Sequence, residues 1–436
     1  MSRRTAYSIA AVVCVLPRLA IVLHERAAIT ASYTEKSDVF AQTFVAHGTY
    51  GFLAGKPSAY TQPLYGWFLV PVYWIFGRSW LSIGLAQIAL AVIAAWLVYE
   101  IGRRVLGPRA GLAAAVIATL NPYLAWHDVH VNREIVDEVL AAALVLLTLI
   151  VAERPTKRLA ALLGVVTGLA ILGNTRLVGI PILCGVYLLW RLPHWRTGAV
   201  AAGLVLAGAA VAVAPWIVRN KADVGCWAIT TDGRALWKAN NPQTYGLLSS
   251  GSWIDDVRPP IPRPPPPNSY TPEEAWGYTV KAGPRPDVAY RIYPNECVQM
   301  SFYEHLAFTW VRQHPGAKAK LGLLSAKLLW QPNVLETTGR PAAGTQLDVG
   351  RRVFEPVYMW AVYLLAAAGL FFAPRPFVVL ALLLLAYNTA AAFAFVGATR
   401  YRIAWDFLVV LLATAALARA VEWARARRGA DEPVHT

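Results

Sequence analysis

Eight charged side chains stand where the apolar runs of this sequence are interrupted: Glu35, Asp38, Glu134, Asp137, Arg176, Arg219, Arg400 and Arg402. A carboxylate can take the proton from an attacking hydroxyl or amine, and an arginine offers a permanently charged fork that fits phosphate. Acids next to hydrocarbon are costly unless solvated, paired or used. Two acidic loops facing several arginines therefore suit a phosphate-bearing substrate. The leading pair lies in Tyr33-Thr-Glu-Lys-Ser-Asp38, directly after the first long apolar segment. Each residue also has a plainer reading. Glu35 and Asp38 could be solvated acids of a wet loop, and Glu134, with Asp137 and Glu138 in the same turn, a carboxylate favoured by a helix dipole. Arg176 could snorkel to an interface, and Arg219 could anchor one. Arg18, inside the first apolar run, needs a partner or a watery cavity.

The elements that carry these residues follow from composition. The 436 residues are 57% hydrophobic and 15% charged, with mean hydropathy +0.43, and they contain several runs of roughly 20 apolar residues, each long enough to cross a bilayer. This is an all-α polytopic membrane protein. The formal charge of +15 comes from short basic clusters between apolar runs, which act as orientation signals, so no nucleic-acid partner is expected. Tyr7 to Leu23 follows Ser2-Arg3-Arg4 but carries Pro17 and Arg18 and has no small-residue cleavage site, so it reads as a retained first span with the N-terminus cytoplasmic.

The chain then alternates. Span two covers about Leu81 to Ile101 and returns to Arg103-Arg104; span three, about Ala110 to Trp126, leads out to His127-Asp-Val-His-Val-Asn-Arg-Glu134. Span four ends at Glu153-Arg154, spans five and six flank Asn174-Thr-Arg176, and span seven runs from about Ala199 to Val218. Residues 219–352 form an external region with seven prolines between Pro259 and Pro267, expected as polyproline II. Helices follow at Asn295 to Gln313 and Gly316 to Trp330, the latter with Lys318, Lys320 and Lys327 among leucines, as suits an interface. Three more spans, Phe354 to Phe372, Phe377 to Val396 and Ile403 to Ala420, bring the tail at 421–436 inside. The expected organisation is thus a transmembrane module at 1–218 with its first external loop at 27–80, an extracytoplasmic region at 219–352, and C-terminal spans at 353–420: about ten spans in all. Cys14 and Cys184 read as small hydrophobes; Cys226 and Cys297, both external, are expected to pair.

In order, the chain shows Ala46-His-Gly-Thr-Tyr50, Gln62-Pro-Leu-Tyr65, Phe76-Gly77, Gly102-Arg-Arg-Val-Leu-Gly107, Asn121-Pro122, Asn132-Arg-Glu134, Pro215-Trp-Ile-Val-Arg-Asn220 and Thr399-Arg-Tyr-Arg402. Together with the acidic first loop, this order resembles the bacterial branch of the protein O-mannosyltransferase and aminoarabinose transferase superfamily, the polyprenyl-phosphate-sugar-dependent glycosyltransferases of the GT-C fold. The resemblance implies a GT-C-like helical bundle with a small mixed extracytoplasmic domain; the topology above expects the inner (plasma) membrane with the candidate residues, and so the active site, on its extracytoplasmic face. The resemblance also implies sugar transfer, with inversion, from a polyprenyl-phosphate donor to a glycan, lipid or protein acceptor.

The chemistry needs a base and positive charge for the departing phosphate. Asp38 is assigned as the base, being closer to the family-like Phe40 to Gly48 segment, with Glu35 as the alternate. Glu134, Asp128 and His130 are candidate sugar contacts or supports, and Arg176, Arg400 and Arg402 candidate phosphate ligands. His47, His127 and His130 beside Asp128 or Glu134 match no recognised metal spacing; a divalent ion stays unassigned and no other cofactor is implied. The rival readings are a transporter or flippase for a lipid-linked or anionic substrate, a glycan polymerase or ligase using lipid diphosphates, and a noncatalytic scaffold. No inverted repeat or paired broken helices support the transporter.

Overall fold

The computed structural model describes residues 2–31, 35–257, 278–281, 289–292, 295–332 and 346–430. Tyr33 and Thr34, the Pro259 to Pro267 segment and the last tail residues lie outside them. Helix α1 (Arg3–Glu25) starts at a Ser2 cap whose side chain accepts from the Thr5 amide, and the short α2 (Ala28–Ala31) follows. Helix α3 (Lys36–His47) begins after Glu35 and ends at Gly48, whose φ of +68° is the left-handed stop a glycine takes without strain. Helix α4 (Pro63–Phe76) opens on proline, which loses no hydrogen bond in a first turn, and α5 (Trp80–Leu106) opens on a Ser79–Ser82 capping box.

Gly107-Pro108 separates α5 from α6 (Pro108–Thr119), and Asn121-Pro122 separates α6 from α7 (Pro122–His127). Next come α8 (Glu134–Glu153), α9 (Lys157–Gly173), α10 (Ile180–Arg191) and α11 (Trp195–Asp223). Beyond α11 lie α12 (Gly233–Ala239), α13 (Thr244–Ser249) and an antiparallel hairpin of β1 (Tyr278–Lys281) with β2 (Ala289–Ile292), Tyr278 opposite Ile292. The chain closes with α14 (Glu296–Gln313), α15 (Pro315–Leu329), α16 (Gln346–Gly369), α17 (Arg375–Ala394), the single turn α18 (Thr399–Arg402) and α19 (Asp406–Ala430).

Helices occupy all ten places where spans are expected, but among the described residues only six are long and apolar enough to cross a bilayer: α1, α5, α8, α11, α17 and the α18–α19 stretch. The expectation of ten full spans is corrected at four of them. Helices α6 and α10 have 12 residues each, about 18 Å of rise against a ~30 Å hydrocarbon core. The third run breaks because Pro122 has no amide proton and disfavours helix at Asn121, whose side chain instead caps the Tyr123 amide at 3.0 Å. Helix α9 has 17 residues, and the apolar part of α16 covers only Val353–Gly369.

One large apolar core joins α1, α5, α6, α8 to α11, α16, α17 and α19. Helices α9 and α11 pack closely within it, where Gly164 faces Val205 and Gly208, and Gly168 faces Ala209; a Cβ at Gly164 would strike the Val205 carbonyl oxygen. Small residues bring the two backbones together, which is how helices associate where lipid supplies no hydrophobic drive. The outward faces stay apolar, with Trp74 77% and Phe371 86% exposed, as a lipid-facing surface requires. Arg18, only 1% exposed, finds its partner in Asp128, with Nη2 at 2.6 Å and Nε at 2.9 Å from the same Oδ2, while Nη1 donates to the Thr119 carbonyl at 2.9 Å. This braces α1 against α6 and the α7–α8 connection.

Candidate functional site

A cavity of about 530 Å³ opens where five segments meet: the start of α3, the loop Tyr60–Gln62, the start of α8, the α9–α10 turn and residues 395–401, with the 230–255 stretch and α14 across from them. Local chemistry fixes each. Glu35 stands just before α3 with its side chain turned to Arg400 and not to the helix amides, and its own amide donates to the Val131 carbonyl at 3.3 Å, tying α3 to the approach of α8. Asn174 shapes the α9–α10 turn by accepting from the Arg176 amide at 3.2 Å and donating to Asp137 at 3.1 Å.

Arg400 joins two of the expected acids. Its Nη2 lies 2.8 Å from Glu35 Oε1, and its Nε donates to Glu134 Oε1 at 2.8 Å. Glu134 is 3% exposed, whereas Glu35 lies on the cavity wall. Arg176, on the same wall, is held differently. Its guanidinium stacks 3.7 Å from the Tyr401 ring centre and donates to the Val396 carbonyl at 2.5 Å. Among the described residues no carboxylate stands within ion-pair distance of it. Burial, with the charges of Arg133 and Arg400 adding to it, pushes its pKa down to about 10. Arg176 remains charged at neutral pH, and an anion bound beside it would relieve both the desolvation and the repulsion.

The structure directs the other expected residues elsewhere. Asp38 is 1% exposed and faces away from the cavity: Tyr73 donates to Oδ1 at 2.6 Å, and Arg78 grips Oδ1 at 3.0 Å and Oδ2 at 2.7 Å. Its oxygens are directed at a fixed fork, and Arg78 passes the restraint on to the Thr30 carbonyl at 2.9 Å. Asp128 belongs to the Arg18 brace. His130 is fully buried, with Nδ1 2.7 Å from the Trp126 carbonyl and its ring stacked 3.6 Å from the Trp126 ring. Arg402 lies behind the cavity, paired with Asp406 at 2.8 Å and donating to the carbonyls of Leu329 and Gln331, so it fastens the last span to the end of α15. Arg219 reaches backbone carbonyls of the first loop. Among the described residues no group of three or more His, Cys, Asp and Glu side chains gathers as a metal site. Cys226 and Cys297 are joined by a disulfide.

Several wall residues escaped the sequence reading: Arg133, Lys36, Tyr60, Asp232, Asp255, Glu304 and Tyr401. Arg133 and Tyr401 sit inside two of the quoted motifs, Asn132-Arg-Glu134 and Thr399-Arg-Tyr-Arg402, and could have been found there. Lys36 likewise sits inside the quoted Tyr33 to Asp38 stretch, and Tyr60 in the first loop between two quoted motifs; Asp232, Asp255 and Glu304 had no signal, because the region beyond α11 lacks periodicity.

Residues 56–218 match the sequence model of the family described as dolichyl-phosphate-mannose-protein mannosyltransferase. Among solved structures, the chain is similar over 99% of its length to 52% of the archaeal oligosaccharyltransferase AglB from Archaeoglobus fulgidus, in complex with an inhibitory peptide and a dolichol-phosphate, at 14% identity and TM-score 0.51. This chain therefore spans about half of that protein's length, 52%. It is also similar to ArnT from Cupriavidus metallidurans bound to undecaprenyl phosphate, over 89% of this chain and 74% of that one, at 15% identity and TM-score 0.39. Comparison with curated proteins returns no significant match.

Proposed function

From the premise that this multi-pass chain has the fold of the GT-C glycosyltransferases, we propose that it transfers a sugar from a polyprenyl-phosphate donor to an extracytoplasmic acceptor. The observation that carries this reading is Arg176, a buried cation on a cavity wall with no carboxylate partner among the described residues, next to a carboxylate, Glu35, that reaches the same cavity. The family match and the dolichol-phosphate bound by the archaeal protein support a lipid phosphate as the anion.

In the proposed reaction the donor phosphate lies against Arg176, with Arg133 beside it. Glu35, oriented by Arg400 and Glu134, takes the proton from the acceptor hydroxyl or amine. The freed lone pair attacks the anomeric carbon from the face opposite the phosphate, a new bond forms there, and the bond from carbon to phosphate oxygen breaks with its electrons leaving on polyprenyl phosphate. The configuration inverts, and the arginines stabilise the departing charge. Relative to the sequence assignment, Glu35 and Asp38 exchange roles, Asp38 supporting α3.

The cavity is assigned to the extracytoplasmic face of the plasma membrane. Helix α8 starts at the cavity and ends beside Arg154, Lys157 and Arg158, and its 20 residues rise about 30 Å, one hydrocarbon thickness. By the positive-inside rule that basic cluster is cytoplasmic. A transporter reading is disfavoured by the fold.

Mass spectrometry of membrane lipids from a strain lacking the protein tests this: a polyprenyl monophosphate sugar should accumulate, and an unchanged lipid and glycan profile overturns the proposal. In the purified protein, Arg176→Ala should raise the donor KM about ten- to a hundredfold, the loss of one charge-assisted contact.

A further inference from the structure

We propose that Glu296 is a positioning residue for the donor site: with Arg219 and the Cys226–Cys297 disulfide it forms a clasp that fixes the strap from Ser58 to Gln62, and through that strap it sets Arg133 and the turn carrying Arg176. The inference rests on the assignment of the cavity to the lipid-linked donor.

The strap is short and mostly small or polar. Tyr60 seats its ring in the apolar cluster of Phe40 and Phe52, while Ser58, Ala59 and Thr61 bring little apolar area, so hydrogen bonds hold the rest of the strap on either side of that ring. Glu296, 8% exposed at the start of α14, accepts three of them: from the Ser58 hydroxyl, from the Ala59 amide at 3.0 Å and from the Thr231 hydroxyl at 2.7 Å. Thr231 answers from its backbone, its amide donating to the Ala59 carbonyl at 2.9 Å, and the Thr230 hydroxyl donates to the Tyr60 carbonyl at 3.0 Å. From the other side Arg219, near the end of α11, donates to the Ser58 carbonyl at 2.9 Å and the Tyr50 carbonyl at 3.2 Å. Glu296 and Arg219 thus grip one residue, Ser58, by its side chain and its carbonyl.

The two grips belong to segments far apart in sequence. Cys297 follows Glu296 directly and is bonded to Cys226, three residues past the end of α11, across a separation of 71. The disulfide therefore holds the two jaws at a fixed spacing, independent of the long connection between them.

The far end of the strap meets the phosphate arginines. Gln62 accepts from Arg133 Nη1 at 3.1 Å, and its amide nitrogen lies 3.4 Å from the hydroxyl of Thr175, the residue before Arg176. Tyr60 presents its ring to Lys36, whose Nζ is 4.5 Å from the ring centre, one residue from Glu35. Removing the Glu296 carboxylate leaves three donors without their acceptor, two of them on the strap, in a place water does not reach, and such groups move to find partners. The catalytic carboxylate and Arg400 touch neither Glu296 nor Ser58, so the effect should fall on donor binding.

The test uses the full chain in lipid nanodiscs, comparing wild type with Glu296→Ala, Glu296→Gln and the double variant Cys226→Ser/Cys297→Ser. Hydrogen exchange should rise about tenfold in peptides spanning 50–62 for Glu296→Ala and for the double variant, with α8 and α9 unchanged as the control for folding. The donor KM should rise about tenfold with kcat altered less than about threefold, and Glu296→Gln, which keeps one acceptor oxygen, should recover part of both. Unchanged exchange at 50–62, or a loss confined to kcat, overturns the clasp. If the wild type transfers no sugar from any polyprenyl phosphate, the donor reading fails on its own, and the exchange measurement still decides whether the clasp exists.

Discussion

Glu35 and Asp38 are three residues apart on one loop and one helix turn, yet their surroundings differ completely. Glu35 faces a cavity and shares Arg400 with Glu134; Asp38 is enclosed by Tyr73 and Arg78. Glu35→Gln should therefore lower kcat by about 10²- to 10⁴-fold with little change in Tm, as for loss of a base. Asp38→Asn should instead lower stability by roughly 3 kcal/mol, since it breaks a largely buried pair and leaves Arg78 without its charge partner. Thermal denaturation and initial rates on both variants separate the roles; a stable, inactive Asp38→Asn would return the base to Asp38. Sequence alone could bring the acids and arginines to one face, because each flanks an apolar run. It could not tell the acid that opens on the cavity from the one that is enclosed, since the deciding partner of Asp38 lies 40 positions away.

At the scale of elements, long apolar helices such as α5, α8 and α11 were readable from composition, and the shortened ones were not. Span three appeared continuous through Asn121-Pro122 because hydropathy averages over a break that backbone chemistry enforces. The Arg18–Asp128 brace was half readable: the need for a partner was evident from Arg18, its identity was not. Replacing Arg18 with Met alone should cost roughly 3–5 kcal/mol by stranding a buried carboxylate, and adding Asp128→Leu should recover most of that. Yield and Tm of the single and double variants measure it; an equal loss in both would mean the pair is not coupled.

Helix α15 also carries a buried charge. Lys318 donates to the carbonyls of Phe393 at 2.8 Å and Ala394 at 2.7 Å, at the end of α17, and burial lowers its pKa from 10.5 to about 8. The unfolded chain keeps that proton up to about 10.5 and the folded one releases it near 8, so between them the unfolded state binds more protons. Stability should accordingly rise with pH across that window and sit at its lower level below 8. Lys318→Met should flatten this part of a Tm-against-pH curve; an unchanged slope would assign it to other groups.

For the molecule as a whole, the six helices that among the described residues are long and apolar enough to cross a bilayer, with several shorter ones, build a bundle whose cavity sits at one end. Its sidedness can be read chemically, because Cys14 and Cys184 are buried and the other two cysteines are bonded to each other. An impermeant maleimide applied to intact cells should label Ser249→Cys, beyond α11, and spare Arg154→Cys, at the far end of α8. The reverse pattern would invert the orientation. The region beyond α11 was the least legible part: it has few periodic stretches, and its contributions to the cavity, Asp232, Asp255 and Glu304, depend on how it folds back over the bundle.

The bridge from Arg400 to Glu35 spans 365 positions, nearly the whole chain. During synthesis the first loop reaches its side of the membrane long before the residue that orients it has been translated. Until the last helix inserts, Glu35 has no Arg400, Arg176 has no Tyr401 beneath it, and the cavity lacks a wall. Nascent or prematurely terminated chains would thus carry the loop and the lipid-facing helices without the assembled cavity, which would close only when the α18–α19 stretch joins the bundle.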